Sequence, residues 1–146
     1  MPTIEERFST ALHKTARSWR QALDRRLKHL GVGQAGWMAI AVIAKASHPL
    51  SQTELAHWLT LEDPTVVAMI DRLVKAGYVS RVPSPTDRRV KLVVLTTAGN
   101  ELYGKVKAEA DACRAEFLAN IDADKLRAAT ELLETLQAAA GESTLC

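Results

Sequence analysis

The chain has 146 residues, of which 47% are hydrophobic and 25% charged, and its formal net charge is only +2. This composition predicts one folded domain with or without helical extensions and excludes a disordered chain. Such a small net charge argues against indiscriminate nucleic-acid binding. Any basic surface must therefore be local. The two cysteines are too few for a disulfide framework, and the longest apolar run is too short to cross a membrane. We therefore expect a soluble, cytoplasmic protein.

The N-terminal segment predicts two helices. Residues 3–30 form the first, and its apolar side chains recur at helical spacing in a seam that requires a partner helix. That seam consists of Phe8, Leu12, Trp19, Leu23, Leu27 and Leu30. Gly31 to Gly33 should stop this helix. Residues 34–46 form a mostly apolar, buried second helix, which His48-Pro49 ends.

Residues 51–77 predict two short helices joined by a brief turn. Ser51 and Glu54 have the spacing of a capping box, which marks a helix start. Asp63-Pro64 is a second start signal, with Asp63 expected to accept hydrogen bonds from free backbone N–H groups. Gly77 should end the second helix. This arrangement is typical of a helix-turn-helix.

A hairpin is predicted to follow. Residues 78–82 and 90–95 are rich in β-branched side chains, and the connecting loop contains two prolines. The loop should project and carry Arg88 and Arg89, with Asp87 pairing with Arg89 and holding it extended. An arginine on such a loop can enter a narrow minor groove of DNA. The alternative is a solvated hairpin with ordinary surface arginines.

The C-terminal segment predicts two more amphipathic helices. Thr96-Thr97 should cap the first, and Asp122 or Asp124 the second, which Gly141 should end before a frayed tail. The apolar stripe of the first helix is Leu102, Val106, Ala110, Cys113, Phe117 and Ile121. That of the second is Leu126, Ala129, Leu133, Leu136 and Ala140.

The predicted fold is mainly α with a small β-hairpin wing: a winged helix-turn-helix with N- and C-terminal dimerisation helices. Residues 1–47 supply dimerisation and supporting helices, 48–97 the winged DNA-binding module, and 98–146 further dimerisation helices, all in one compact domain. A homodimer would cover the terminal seams and present two reading helices to two half-sites. A monomer with packed terminal helices is the alternative. The expected interface residues are Phe8, Leu12, Leu23, Leu133 and Leu136.

The chain resembles the MarR family of transcriptional regulators, most closely its SlyA-like branch, over nearly its whole length. The most specific motifs are residues 71–79 (DRLVKAGYV), Asp87-Arg88-Arg89 and the Leu-Thr-x-x-Gly of residues 95–99. The resemblance implies a homodimer on a palindromic operator of double-stranded DNA. It also implies that the helix over residues 64–76 lies in the major groove and that Arg89 enters the minor groove.

The resemblance also assigns site residues. DNA contacts are expected from Pro64, Thr65, Val67, Ala68, Arg72, Lys75, Arg81, Asp87, Arg88 and Arg89. Many relatives bind a small phenolic or aromatic carboxylate, and Arg17 and Trp37 are the candidates for that pocket, the first to pair with the anion and the second to stack on its ring. Relatives of the SlyA-like branch usually carry an arginine where this chain has Ala68. Because alanine cannot bond guanine bidentately, the usual operator preference is in doubt.

Other functions have less support in the sequence. The chain lacks a phosphate loop, a paired Cys-x-x-Cys and a nucleophile elbow, so we expect neither an enzyme nor a metal or cofactor site. A cysteine-based redox sensor would require a reactive thiol, but Cys113 lies in an apolar stripe, where it is expected to be a buried hydrophobe. A winged module that contacts only proteins is the remaining alternative.

Overall fold

The computed structural model describes residues 1–142 and confirms a mainly helical fold with a small antiparallel sheet. Cys146 and the predicted frayed tail lie outside the described residues. The elements are α1 (Ile4–Leu27), α2 (Gly33–Lys45), β1 (Leu50–Ser51), α3 (Gln52–Leu59), α4 (Asp63–Lys75), β2 (Val79–Pro83), β3 (Lys91–Leu95), α5 (Thr97–Leu118) and α6 (Ala123–Glu142).

Two compact units make up the chain. The first spans Met1–Cys113 and contains α1 to α4, the sheet and most of α5. The second begins at Arg114 and contains the end of α5 and α6. The predicted N-terminal segment and the winged module thus belong to the same unit.

Local capping signals begin and end the central helices. The Ser51 hydroxyl accepts from the Glu54 amide at 3.1 Å, and the Glu54 carboxylate accepts from the Ser51 amide at 3.1 Å, so the predicted capping box is confirmed. Gly77 has a φ of +87° and ends α4. Its amide donates to the Val74 carbonyl and that of Tyr78 to the Leu73 carbonyl, each at 3.0 Å, which is a Schellman motif.

The first helix is shorter than predicted. α1 ends at Leu27, and Lys28–Leu30 form a 3₁₀ turn that closes at Gly31, whose φ is +76°. The Gly31 amide donates to the Lys28 carbonyl at 3.2 Å. A tighter last turn of this kind satisfies carbonyls that the helix end leaves without partners.

Three other predicted helix boundaries are wrong. Glu62, and not Asp63, occupies the N-cap position of α4, and no side chain caps this helix. Pro64 fits the first turn because amides there lack intrahelical acceptors. Ile121 lies beyond the end of α5, which is at Leu118. The cap of α6 is one of the two predicted residues, Asp122, which accepts from the Lys125 amide at 3.1 Å. Gly141 keeps a helical backbone, so α6 continues to Glu142.

The sheet contains a strand that the sequence analysis missed. Its order is β1-β3-β2, with both pairings antiparallel. β1 has only two residues, and Leu50 pairs with Val93 in β3. This pairing connects the residues just before the helix-turn-helix with the base of the wing.

A single apolar core holds the winged lobe, which we define as residues 50–95. The largest cluster of buried side chains comes from α2 to α5 and all three strands: Ala39, Ile40, Leu50, Leu55, Ala56, Leu59, Val66, Met69, Ile70, Leu73, Val79, Val93 and Leu102. A second cluster joins α1, α2 and α5 through Leu27, Trp37 and Val106. Among the described residues, no helix is both long enough and apolar enough to span a bilayer.

The start of α5 approaches the end of α4 closely. The Thr96 hydroxyl caps α5 by accepting from the Gly99 amide at 3.1 Å, and it donates to the Gly77 carbonyl at 2.6 Å. A Cβ atom added at Gly99 would overlap with the backbone carbonyl oxygen of Tyr78. A side chain at this position would therefore push α5 away from the turn after α4.

We expect Gly99→Ala to lower the free energy of unfolding by at least about 1 kcal/mol, because backbone must move to relieve the overlap. Gly104, on the same helix, is the matched control, since an added Cβ there meets nothing within 4 Å. Gly104→Ala should stabilise the protein by about 0.5–1 kcal/mol through helix propensity. Urea unfolding of both variants measures the difference, and equal effects at the two positions would contradict the expectation.

Candidate nucleic-acid interface

The outer face of α4 is a continuous exposed surface. Pro64, Thr65, Ala68, Arg72 and Lys75 recur at spacings of three and four along this helix, and all five are exposed. The opposite face is buried in the core. Two basic side chains stand at the C-terminal end of the exposed surface, and small side chains stand at its beginning.

After Asp63, the exposed side chains in the first turns of α4 are small and uncharged. Val67, with 37% of its surface exposed, lies beside Ala68 on a helix that begins with Asp63 and Pro64. Side chains of this type can contact a thymine methyl group but cannot donate two hydrogen bonds to guanine. This end of the helix can therefore approach a groove floor closely, because its side chains are short.

The wing is a hairpin loop in which Asp87 holds Arg89, and we call this contact the Asp87–Arg89 clamp. The amide of Ser84 donates to the carbonyl of Val90 at 2.9 Å and closes the loop. Asp87 then binds Arg89 three times at 3.1 Å, accepting from its backbone amide, its Nε and its Nη2. The Arg89 side chain is nevertheless 91% exposed.

Hydrogen bonds from the Arg89 side chain, and then from its backbone, lower the pKa of Asp87 below its ordinary value. A carboxylate with a lowered folded-state pKa stays ionised at neutral pH. Its contribution to the free energy of unfolding is lost only as the pH falls through that lowered pKa. The clamp on Arg89 is therefore intact at neutral pH. It orients the guanidinium while leaving it accessible to a negatively charged partner.

Arg81, which the sequence analysis assigned to DNA, is engaged within the lobe. Its Nη2 donates to Asp71 Oδ1 at 2.6 Å and to the Val67 carbonyl at 3.4 Å, while its Nε donates to Gln52 Oε1 at 2.9 Å. This one guanidinium joins β2 to the start of α3 and to the middle of α4. We therefore regard Arg81 as a residue that positions α4 against the wing, and its contact with DNA stays a prediction.

Trp37 is a core residue. Its side chain is buried against Leu27 and Val106, and its indole Nε1 donates to Asp24 Oδ1 at 3.0 Å. Because the indole is enclosed and bonded in this way, core packing accounts for its position, and its pocket role stays a prediction. Arg17 is exposed on α1.

A different pocket lies between α1, α2 and the end of α3, and the sequence analysis missed it. Its volume is about 200 Å³, and it is lined by Arg20, Gln34, Ala35, Met38, Leu59 and Leu61. Arg20 lies one helical turn after Arg17, but no local pattern distinguishes the two. Only the packing of three helices shows which arginine borders a cavity.

The predicted dimer-interface residues fall into two groups. Phe8 and Leu12 on α1, and Leu133 and Leu136 on α6, are each about 40% exposed, so these apolar side chains are in contact with water in the single chain. Leu23 is instead half-buried and packs against the cluster of Leu27, Trp37 and Val106. Replacing Leu23 with a smaller or charged residue would weaken that cluster, whether or not Leu23 also lies at a subunit interface.

Cys113 is a free thiol with 1% of its surface exposed. A buried thiol has little access to oxidants, which matches the expectation of a small core side chain. Cys146, the other cysteine, lies outside the described residues.

The exposed face of α4, the adjacent hairpin and their shared core define a winged helix-turn-helix protein. A family model described as MarR family matches residues 39–91. Transcriptional regulator PA3341 is 34% identical, with a TM-score of 0.86 over 93% of this chain and 99% of that chain. Apo MarR from E. coli is 25% identical, with a TM-score of 0.77 over 93% and 97%. CouR from Rhodococcus jostii RHA1, solved with p-coumaroyl-CoA, is 22% identical with a TM-score of 0.81 and full coverage of both chains.

The chain belongs to the MarR family of transcriptional regulators. The likeness to CouR supports the fold only, because that identity is low. These comparisons agree with the winged helix-turn-helix that the sequence predicts.

Proposed function

We propose that this protein is a homodimeric, sequence-specific DNA-binding regulator of transcription that acts on a palindromic operator. The observation that carries the proposal is the pairing of an exposed α4 face with a wing arginine that Asp87 holds outward. In this proposal α4 lies in the major groove, with Thr65, Val67 and Ala68 nearest the bases and Arg72 and Lys75 near phosphates. Asp87 contributes to DNA binding by holding Arg89 in position.

The wing supplies the minor-groove contact in this proposal. Arg88 and Arg89 are both exposed at the far end of the loop. A guanidinium already held in place loses little conformational freedom on binding, which favours insertion into a narrow groove. The wing and the Leu-Thr-x-x-Gly motif also lead us to propose membership of the SlyA-like branch, with Ala68 as its departure.

Exposed apolar side chains on α1, and separately on α6, support the proposed dimerisation. Exposed apolar surface on a folded chain often marks a protein interface. A two-fold dimer would place two copies of α4 about one DNA turn, or roughly 34–36 Å, apart. The palindromic symmetry of the proposed operator follows from this arrangement.

We propose that a small aromatic carboxylate regulates DNA binding by occupying the pocket beside Arg20. This pocket combines one guanidinium and one amide with apolar walls from Met38, Leu59 and Leu61. An arginine can pair a carboxylate while the apolar walls cover a single ring. The pocket borders α1 and the helix-turn-helix, so an occupant contacts both.

Selection of bound duplexes from a random pool, with and without salicylate, tests the proposed function directly. We expect enrichment of inverted repeats whose half-site centres are about 10 base pairs apart. The enriched positions should favour A·T pairs where the wing lies, and salicylate should reduce the bound fraction. A pool that remains random after several rounds would exclude sequence-specific DNA binding.

We expect salicylate to raise the melting temperature of the wild-type protein, because a ligand that binds only the folded state stabilises it. Arg20→Ala should weaken salicylate binding by about tenfold, the effect of losing a charge-assisted hydrogen bond. Arg17→Ala, one turn earlier on α1, is the matched control and should bind like wild type. Calorimetry measures all three proteins, and a reversed order of the two variants would restore the assignment to Arg17.

A further inference from the structure

Trp58 is the most exposed of the large apolar side chains on α3. Its relative exposure is 66%, whereas Leu55, Ala56 and Leu59 on the same helix are buried. The indole borders a hollow of about 210 Å³ between the end of α2, β1 and α3. Val42 and Leu50 supply further apolar surface to this hollow.

The hollow has the chemistry of a site for an aromatic anion. Its walls are mostly apolar, and its two ionisable lining side chains, Lys45 and His48, are both basic types. His48 is oriented by a hydrogen bond from its Nδ1 to the Pro49 carbonyl, 3.0 Å away. Lys45 lies in the last turn of α2 and has an exposed side chain.

We propose that this hollow, the Trp58 pocket, binds a planar aromatic monocarboxylate. The ring stacks on the indole of Trp58 and packs against Val42 and Leu50. The carboxylate pairs with the ammonium of Lys45, because a charge-assisted hydrogen bond is stronger than a neutral one. This site is separate from the pocket beside Arg20, with which it shares no lining residue.

The Trp58 pocket adjoins the base of the wing. The turn of Ala46, Ser47 and His48 also lines a second hollow, of about 310 Å³, together with residues 93–95 of β3. A bound ring therefore contacts the turn that separates it from the strand leading out of the wing. Any resulting effect on DNA affinity rests on the proposed function, whereas ligand binding itself does not.

Calorimetric titration of the full-length protein with 2-naphthoate, without DNA, tests the proposal. We expect Trp58→Ala to weaken binding by about tenfold through loss of stacking and apolar contact. Lys45→Gln should weaken it by several fold, and the neutral analogue 2-naphthalenemethanol should bind wild type and Lys45→Gln equally. Trp58→Phe retains a ring and should keep most of the affinity.

Three controls establish whether 2-naphthoate binds at the Trp58 pocket. Lys28→Gln changes an exposed lysine outside the pocket and should bind 2-naphthoate like wild type. Arg20→Ala should leave the Trp58-dependent binding unchanged, and circular dichroism should show that each variant is folded. Wild-type affinity in both Trp58→Ala and Lys45→Gln would overturn the proposal, as would no binding up to the solubility limit. Neither result would bear on operator binding, which the duplex selection measures separately.

Discussion

Leu136→Glu is expected to dissociate the proposed dimer and abolish specific DNA binding together. Leu136 is 40% exposed on α6, where Leu132 and Leu133 are also exposed, so its side chain can be covered by a second subunit. A carboxylate in an apolar interface would have to lose its hydration without gaining a partner. Sedimentation at low micromolar concentration should change from twice the chain mass of 16.0 kDa to that mass alone.

The matched control for this prediction is Ala138→Glu. Ala138 is also exposed on α6, but by helical geometry it faces away from the leucine stripe. It introduces the same charge two residues away and should leave both assembly and DNA binding intact. If wild type sediments only as a 16.0 kDa species, the assembly proposal is wrong. Phe8→Glu tests the seam on α1 in the same way.

Arg89→Ala is expected to weaken operator binding by about 1–3 kcal/mol, the usual scale for a specific groove contact. The loss should be greatest on duplexes with A·T-rich flanks, where the minor groove is narrowest and most negative. Wild-type affinity should fall steeply with salt because basic side chains displace counterions from phosphates. Fluorescence anisotropy on operators with A·T-rich or G·C-rich flanks, across a salt series, measures these effects.

Arg25→Ala is the control for the wing, since Arg25 is an exposed arginine on α1, outside the winged lobe. It removes the same charge and should change affinity far less. Equal binding by Arg89→Ala and wild type on both duplexes would mean that the wing does not read DNA. A winged module that contacts other proteins would then be the better interpretation.

Sequence reasoning succeeded where a structure is held by residues close together in the chain. The Ser51–Glu54 capping box spans three residues, and the Asp87–Arg89 clamp spans two. The stop at Gly77 likewise depends on a glycine and the carbonyls immediately before it. Such features follow from backbone geometry and short-range hydrogen bonding, so residue type and spacing are sufficient to predict them.

Features that depend on distant partners could not be predicted. Strand β1 exists because Leu50 meets Val93, and nothing in its two residues distinguishes it from a loop. In the sequence, nothing distinguishes Arg81 from the other basic side chains near the wing, because its acceptors on α3 and α4 come together only in the folded lobe. The bond between Trp37 and Asp24 and the pocket beside Arg20 have the same origin in helix packing.

Arg81 donates hydrogen bonds to one side of α4, at the Val67 carbonyl and at Asp71. A second side of α4, with Ile70 and its neighbours, packs in the core. Positions such as Thr65 and Ala68 stand on the remaining, exposed face. If α4 lies in the major groove as proposed, substitutions there change which bases are contacted without disturbing the contacts that keep the lobe folded. The proposed operator preference can therefore change at little cost in folding stability.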